Sequence, residues 1–261
     1  MTLTDIGGCR AIMRSMHGLR RLVHEYESRP LAHQFKNGKD YVESPKSDGY
    51  RGIHRIYYFA QTTEASRPYA EARLQVELQF RTRLQHVWAT AVEVAGIFRR
   101  EALKANQGDP DWKRFFALVA TQFAREEKCP LVPDAPKNKT ALRAELRNLI
   151  RMHNMLNMFE TYKTTIQHVS HRKDAKYYLV HLDPVQQKVT LTGFKAKESA
   201  EANRSYTGQE TQTLFPDDPN FHTSDQVVLV GVNDIRELPK AYPNYYMDST
   251  EFVARVKEII S

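Results

Sequence analysis

The feature that most constrains this chain is a change of period in its first half. Residues 53–61 (IHRIYYFAQ) and 73–81 (RLQVELQFR) alternate in polarity and are rich in β-formers, and residues 82–104 then turn to a helical rhythm. The first two stretches predict paired strands joined by a polar turn at 62–71. Along a strand, residues two apart share a face, so Val76, Leu78 and Phe80 form one row and Glu77, Gln79 and Arg81 the other. The apolar row is the core face. The polar row lines up an acid, an amide and a base on an open face, where a carboxylate can take a hard cation or a proton. In the helix that follows, Leu84, Val87, Trp88, Ala91, Val94 and Ala95 recur at spacings of three and four.

The rest of the chain fits around this unit. Residues 3–14 read as a short strand with Asp5 near its start, and residues 15–28 as an amphipathic helix. Residues 30–52 hold Pro30, Asn37-Gly38, Pro45 and Ser47-Asp48-Gly49, and read as a long loop with a short strand near Tyr41-Val42. Helices are expected at 111–128 and, after a proline-rich connector at 129–137, as one element over 138–165. A boundary is expected between 166 and 175. Beyond it, a hairpin at 176–183 and 187–194, a helix at 196–210, a strand at 226–232 and a helix at about 249–260 give a ββαβα tail. The fold class is α/β (α+β), a mixed sheet flanked by helices. The domains expected are a core at 1–104, its helical extension at 105–165, and a small α/β C-terminal domain at 170–261 of unassigned role.

Composition narrows the function classes. The 261 residues are 41% hydrophobic, enough to bury a core, and carry a formal net charge of +7, which favours polyanionic partners. Cys9 and Cys129 form no C-x-x-C pair, which excludes a cysteine zinc site and a disulfide framework and suits a reducing, cytoplasmic setting. No apolar run is long enough to cross a bilayer, and no membrane partner is expected. His17 with His24, and His168 with His171, lack the neighbours that would complete a metal site. Arg143, Arg147 and Arg151 recur along one helix face, a solvated stripe that RNA could also touch. No P-loop occurs.

Four clusters carry the chemistry: Asp5 with Arg10; Lys39-Asp40-Tyr41 followed by SPKSDGYRGIH; VELQFRT; and QHVWA. Glycines on either side of Tyr50-Arg51 permit tight turns, and the Tyr50 ring can stack on a purine. In order and spacing, DIGGCR, KDYVESPKSDGYRGIH and VELQFRTRLQHVWATAVE resemble the synthetase domain of the RelA/SpoT family, firmly over residues 3–95 and more loosely to about 165.

The resemblance implies a nucleotidyltransferase-like synthetase core that uses Mg2+ and moves pyrophosphate from ATP to GDP or GTP, making the alarmones ppGpp and pppGpp of the stringent response. It implies that Asp5 and Glu77 hold the metal, with Glu77 also placed to activate the acceptor's 3′-hydroxyl. It implies that Arg10 stacks on adenine, that Tyr50 stacks on guanine, that Lys46 and His54 contact the acceptor's phosphates, and that Gln79 and His86 line the acceptor site. Many relatives carry Asn where His86 stands. The family also carries a basic segment for the ATP phosphates upstream of the Asp5 motif; only four residues precede Asp5, so a core truncated at its N-terminus is expected. Two alternatives share the resemblance: a toxin-like relative that pyrophosphorylates the 3′ end of tRNA, and a non-catalytic nucleotide-binding regulatory module. A homo-oligomer stays open.

Overall fold

The computed structural model describes residues 7–99, 103, 108–161, 165–170, 174–183, 186, 188–214, 226–231 and 249–261. The chain divides into two compact units. The first comprises Met1–Ala89, Pro110–Leu149 and Ile259–Ser261; the second comprises Thr90–Asp109 and Ile150–Glu258.

The first unit is built on a mixed sheet of β1 (Gly7–Met13), β2 (Gln34–Asp40), β3 (Ile53–Tyr58) and β4 (Gln75–Thr82), in the order β1-β4-β3-β2. β1 runs parallel to β4, and β3 is antiparallel to both β4 and β2. The expected β3–β4 pairing is found. Between these strands, the expected polar turn contains a helix of its own, α2 (Arg67–Glu71), started by Pro68 in its first turn.

Helix α1 (Met16–Ser28) begins where the Ser15 hydroxyl accepts the Gly18 amide at 3.2 Å. It lays Leu19 and Val23 on Val42, Ile53 and Phe80, with Ala11, Met13 and Leu78 around them. This cluster occupies the apolar face of β4, so the row Glu77, Gln79 and Arg81 lies on the other side of the sheet. The strand expected near Tyr41-Val42 is displaced: β2 ends at Asp40, and the Asp40 carboxylate accepts the Val42 and Glu43 amides at 2.9 and 3.0 Å, closing a turn there.

Helix α3 (Arg83–Arg99) leaves β4 directly, and α4 (Pro110–Glu126) and α5 (Lys139–His153) follow. α4 buries Trp112, Phe115, Phe116 and Phe123. Its Phe116 carbonyl accepts the indole N–H of the buried Trp88 at 2.8 Å. Asn138 caps α5 through its side chain, which accepts the Thr140 and Ala141 amides at 2.7 and 3.1 Å. The single helix expected over 138–165 is broken at Asn154, whose φ of +49° starts a separate α6 (Met155–Thr161). Asn accepts the left-handed region more readily than most residues, which is why the break falls there.

The second unit holds a sheet of β5 (Thr165–Ser170), β6 (Tyr177–Asp183), β7 (Lys188–Phe194) and β8 (Gln226–Gly231), in the order β5-β7-β6-β8. Helix α7 (Ser199–Leu214) contributes Ala202 to a core with Leu179 and Phe194. The hairpin, the helix and the last strand of the expected tail are present. β5 is an addition that pairs parallel with β7 where a boundary was expected; its Thr-Ile-Gln-His-Val-Ser sequence is rich in β-branched residues. In the terminal helix α8 (Thr250–Ile260), Phe252 stacks on Phe159 of α6 at 5.5 Å between ring centres.

Candidate functional site

Strand register decides which polar side chains meet on the open face of the first sheet. Gln79 of β4 lies opposite Arg10 of β1 on one side and His54 of β3 on the other. One rung therefore carries Arg10, Gln79 and His54 across three strands, with Glu77 and Arg81 two residues away on either side.

The rung is tied together by side chains. Arg10 Nε donates to Gln79 Oε1 at 2.6 Å. His54 Nδ1 binds Glu77 Oε1. His54 Nε2 lies 2.5 Å from the Tyr50 hydroxyl, to which Gln79 Nε2 donates at 3.1 Å and Arg81 Nη2 at 2.9 Å. The Tyr50 hydroxyl is thus the point at which an imidazole, an amide and a guanidinium converge. The His54 hydrogen bond, with support from the Arg81 and Arg10 charges, holds the Glu77 carboxyl below the usual carboxylate range against the opposing effect of burial. Burial pushes the Tyr50 phenol up, against the charge and hydrogen bond of Arg81, so it remains a neutral O–H at ordinary pH.

Tyr50 reaches this point from a compact turn. The Gly49 amide donates to the Lys46 carbonyl at 3.0 Å, and the Tyr50 amide to Asp48 Oδ1 at 2.8 Å. Gly49 has φ +96° and packs against α4: a Cβ there would stand 2.7 Å from Ala120 Cβ and 3.2 Å from Ala117 Cα. Lys46 Nζ sits 4.7 Å from the Tyr41 ring centre and 5.2 Å from that of Tyr50, and those two rings meet edge-on at 5.6 Å. Behind the turn is a small, mostly apolar cleft lined by Gly49, Arg51, Gln85, Trp88, Ala120 and Phe123. There the buried Arg51 lies 3.9 Å from Glu127, which accepts Gln85 Nε2 at 3.0 Å. Burial pushes the Glu127 carboxyl up, against the hydrogen bonds of Thr82 and Gln85 and the charge of Arg51.

Of the residues singled out in the sequence, Arg10, Tyr50, His54, Glu77 and Gln79 are brought into one hydrogen-bonded group, and Lys46 joins them over the Tyr50 ring. His86 stands in the first turn of α3 and is not among the partners of the Tyr50 hydroxyl. Asp5 lies outside the described residues, and so does the expected meeting of Asp5 with Glu77. Sequence reasoning gave no role to Arg81, Arg51 or Tyr41. For Arg81 the signal was available, since it shares the period-2 row of Glu77 and Gln79. Arg51 and Tyr41 are placed by loop geometry that no periodicity reports.

Three cationic side chains, an anionic carboxylate and an aromatic ring on one open face suit a ligand that combines phosphate with a planar base. Among the described residues, no group of three or more His, Cys, Asp or Glu side chains stands together to hold a metal ion. Among the same residues, no helix is long and apolar enough to cross a membrane.

Residues 1–100 match the model of a family described as "Region found in RelA / SpoT proteins". No curated protein matches the chain. Among solved structures, small alarmone synthetase 1 from Bacillus subtilis bound to its product pppGpp is 21% identical over 49% of this chain and 60% of that one, with a TM-score of 0.40. A GTP pyrophosphokinase family protein from Streptococcus pneumoniae is 19% identical over 48% of this chain and 57% of its own, with a TM-score of 0.37. Small alarmone synthetase 2 from Bacillus subtilis is 20% identical over 48% and 63%, with a TM-score of 0.39. The match therefore spans less than two thirds of each of these relatives.

Proposed function

Residues 1–100 are a RelA/SpoT-family region, and on that premise we propose that the protein is an ATP:guanosine-nucleotide 3′-pyrophosphotransferase. The observation that carries this reading is the convergence of Arg10, Tyr50, His54, Glu77 and Gln79 on one sheet face inside that region. In the reaction, the ribose 3′-oxygen of GDP or GTP bonds to the β-phosphorus of ATP. The bond from that phosphorus to the α–β bridging oxygen breaks, AMP leaves with the oxygen, and the 3′-hydroxyl proton passes to a base. Such a transfer rests on alignment and charge neutralisation more than on covalent help from the protein.

Glu77 takes the proton in this proposal, ionised by its hydrogen bond with His54. Tyr50 stacks on guanine. Lys46 and His54 meet the acceptor's phosphates, Gln79 and His86 line its site, and Arg10 stacks on adenine. The family implies Mg2+. Glu77 fits that ion as an anionic oxygen donor with one oxygen engaged by His54, and Asp5 would be its companion. When bound, the ion would neutralise phosphate charge.

The test is incubation of the purified chain with Mg2+, ATP labelled in its terminal phosphate, and GDP, GTP or tRNA in separate reactions. Labelled ppGpp or pppGpp is expected. Label on the tRNA 3′ end alone would move the assignment to the tRNA-directed relative. Guanosine nucleotide binding without transfer, unchanged in Glu77→Ala, would leave a regulatory binding module.

A further inference from the structure

We propose that Arg81 is a positioning residue: it holds Tyr50 by the hydroxyl and so sets affinity for a guanosine acceptor that it does not itself touch. This rests on the function proposed above and adds a residue to its acceptor site. Arg81 is 2% exposed, so its guanidinium is covered by the protein. Its hydrogen bond among the described residues is the one to the Tyr50 hydroxyl, at 2.9 Å, and the guanidinium carbon lies 5.2 Å from the centre of the same ring. No ion pair of Arg81 is found among the described residues.

A buried cation without a carboxylate partner is costly to keep, and its two contacts with one phenol show where that cost is spent. The other partners of the hydroxyl are engaged elsewhere as well, Gln79 with Arg10 and His54 with Glu77. Tyr50 itself comes from a turn, outside the strand ladder, so side-chain contacts set where its ring lies. The Arg81 stem is closed in at the end of that turn, where a Cβ on Gly52 would stand 3.4 Å from Arg81 Cγ. A ring anchored by its hydroxyl loses less freedom when a base stacks on it, and that saving appears as affinity.

The experiment compares wild type, Arg81→Met, Tyr50→Phe and the double variant, varying GDP at saturating ATP and ATP at saturating GDP. Each single change is expected to raise KM for GDP roughly tenfold, the loss typical of one charge-assisted hydrogen bond, with KM for ATP and kcat within about twofold. The double variant is expected to be no worse than the worse single one, because both changes remove the same contact. Multiplying effects in the double variant would make Arg81 a direct ligand contact and overturn the proposal. So would equal losses toward both substrates, the mark of a merely structural residue. Arg81→Lys, which keeps the charge but not the planar fork, is expected to recover part of the GDP affinity. If wild type transfers nothing to guanosine nucleotides, the proposed function fails, and thermal unfolding of the same four proteins still reads the contact: non-additive Tm losses uphold the Arg81–Tyr50 coupling, and additive losses sink it.

Discussion

At the scale of single residues, the pairing of Glu77 with His54 has consequences that can be measured. Replacing Glu77 by Gln removes the negative charge and the proton acceptor and keeps the shape. Pyrophosphate transfer is expected to fall by about a hundredfold or more, while Tm changes little, because Glu77 is half-buried and not part of the core. His54→Asn tests the pKa logic. The Glu77 carboxyl sits below its ordinary value chiefly through the His54 hydrogen bond, so its loss lets that value rise. The acid limb of the kcat/KM profile is then expected to move to higher pH, and an acid limb that stays where wild type has it would separate the two residues functionally. The sign for stability is the same: a carboxyl with a lowered folded-state pKa contributes above its unfolded value, about 4.3, and that contribution disappears as the pH falls through the folded value. The open face of Glu77 and Gln79 was legible in the sequence, because a strand's period of two reports it directly. The contact from His54 to Glu77 was not. It depends on the register that sets His54 opposite Gln79, and the spacing between residues 54 and 77 does not contain that register.

At the scale of elements, the turn before β3 is held by a helix that comes much later in the chain. Gly49 sits against Ala117 and Ala120 of α4 with φ +96°. Gly49→Ala would combine left-handed strain with overlap against backbone and Cβ atoms, and is expected to cost on the order of 2–4 kcal/mol, read as a lower urea midpoint at unchanged m. Because the same turn delivers Tyr50, KM for the guanosine nucleotide should rise as well. What the sequence disclosed about elements follows from burial. β3 and β4 have one packed face, so their alternation was readable. β2 (QFKNGKD) is exposed along nearly its whole length, has no apolar row, and contains Asn37-Gly38, so it reads as a turn although its backbone pairs with β3. The end of α5 was hidden for a similar reason: the apolar rhythm runs on from Leu149 to Phe159, and only the positive φ of Asn154 marks the break.

At the scale of the whole molecule, the residues that form the candidate site are only part of what keeps it folded. The first unit takes in residues on both sides of position 104, and α4 lies beyond that position. Phe115, Phe116 and Phe123 of α4 are each no more than 2% exposed, and α4 also covers Trp88 and Gly49. Burying three such rings is worth roughly 5–9 kcal/mol, comparable to the 5–15 kcal/mol that keeps an ordinary domain folded. α5 is tied to α4 through Arg114 and Glu145, with contacts of 2.5 and 3.0 Å. A fragment of residues 1–104 contains the site residues and lacks this cover. It is expected to give no cooperative unfolding transition by circular dichroism and to bind no guanosine nucleotide. A fragment of residues 1–149 restores α4 and α5 and is expected to unfold in one cooperative step. A cooperative transition in the shorter fragment would mean that the sheet and α1 suffice, and that the Gly49 packing against α4 does not hold the Tyr50 turn in place.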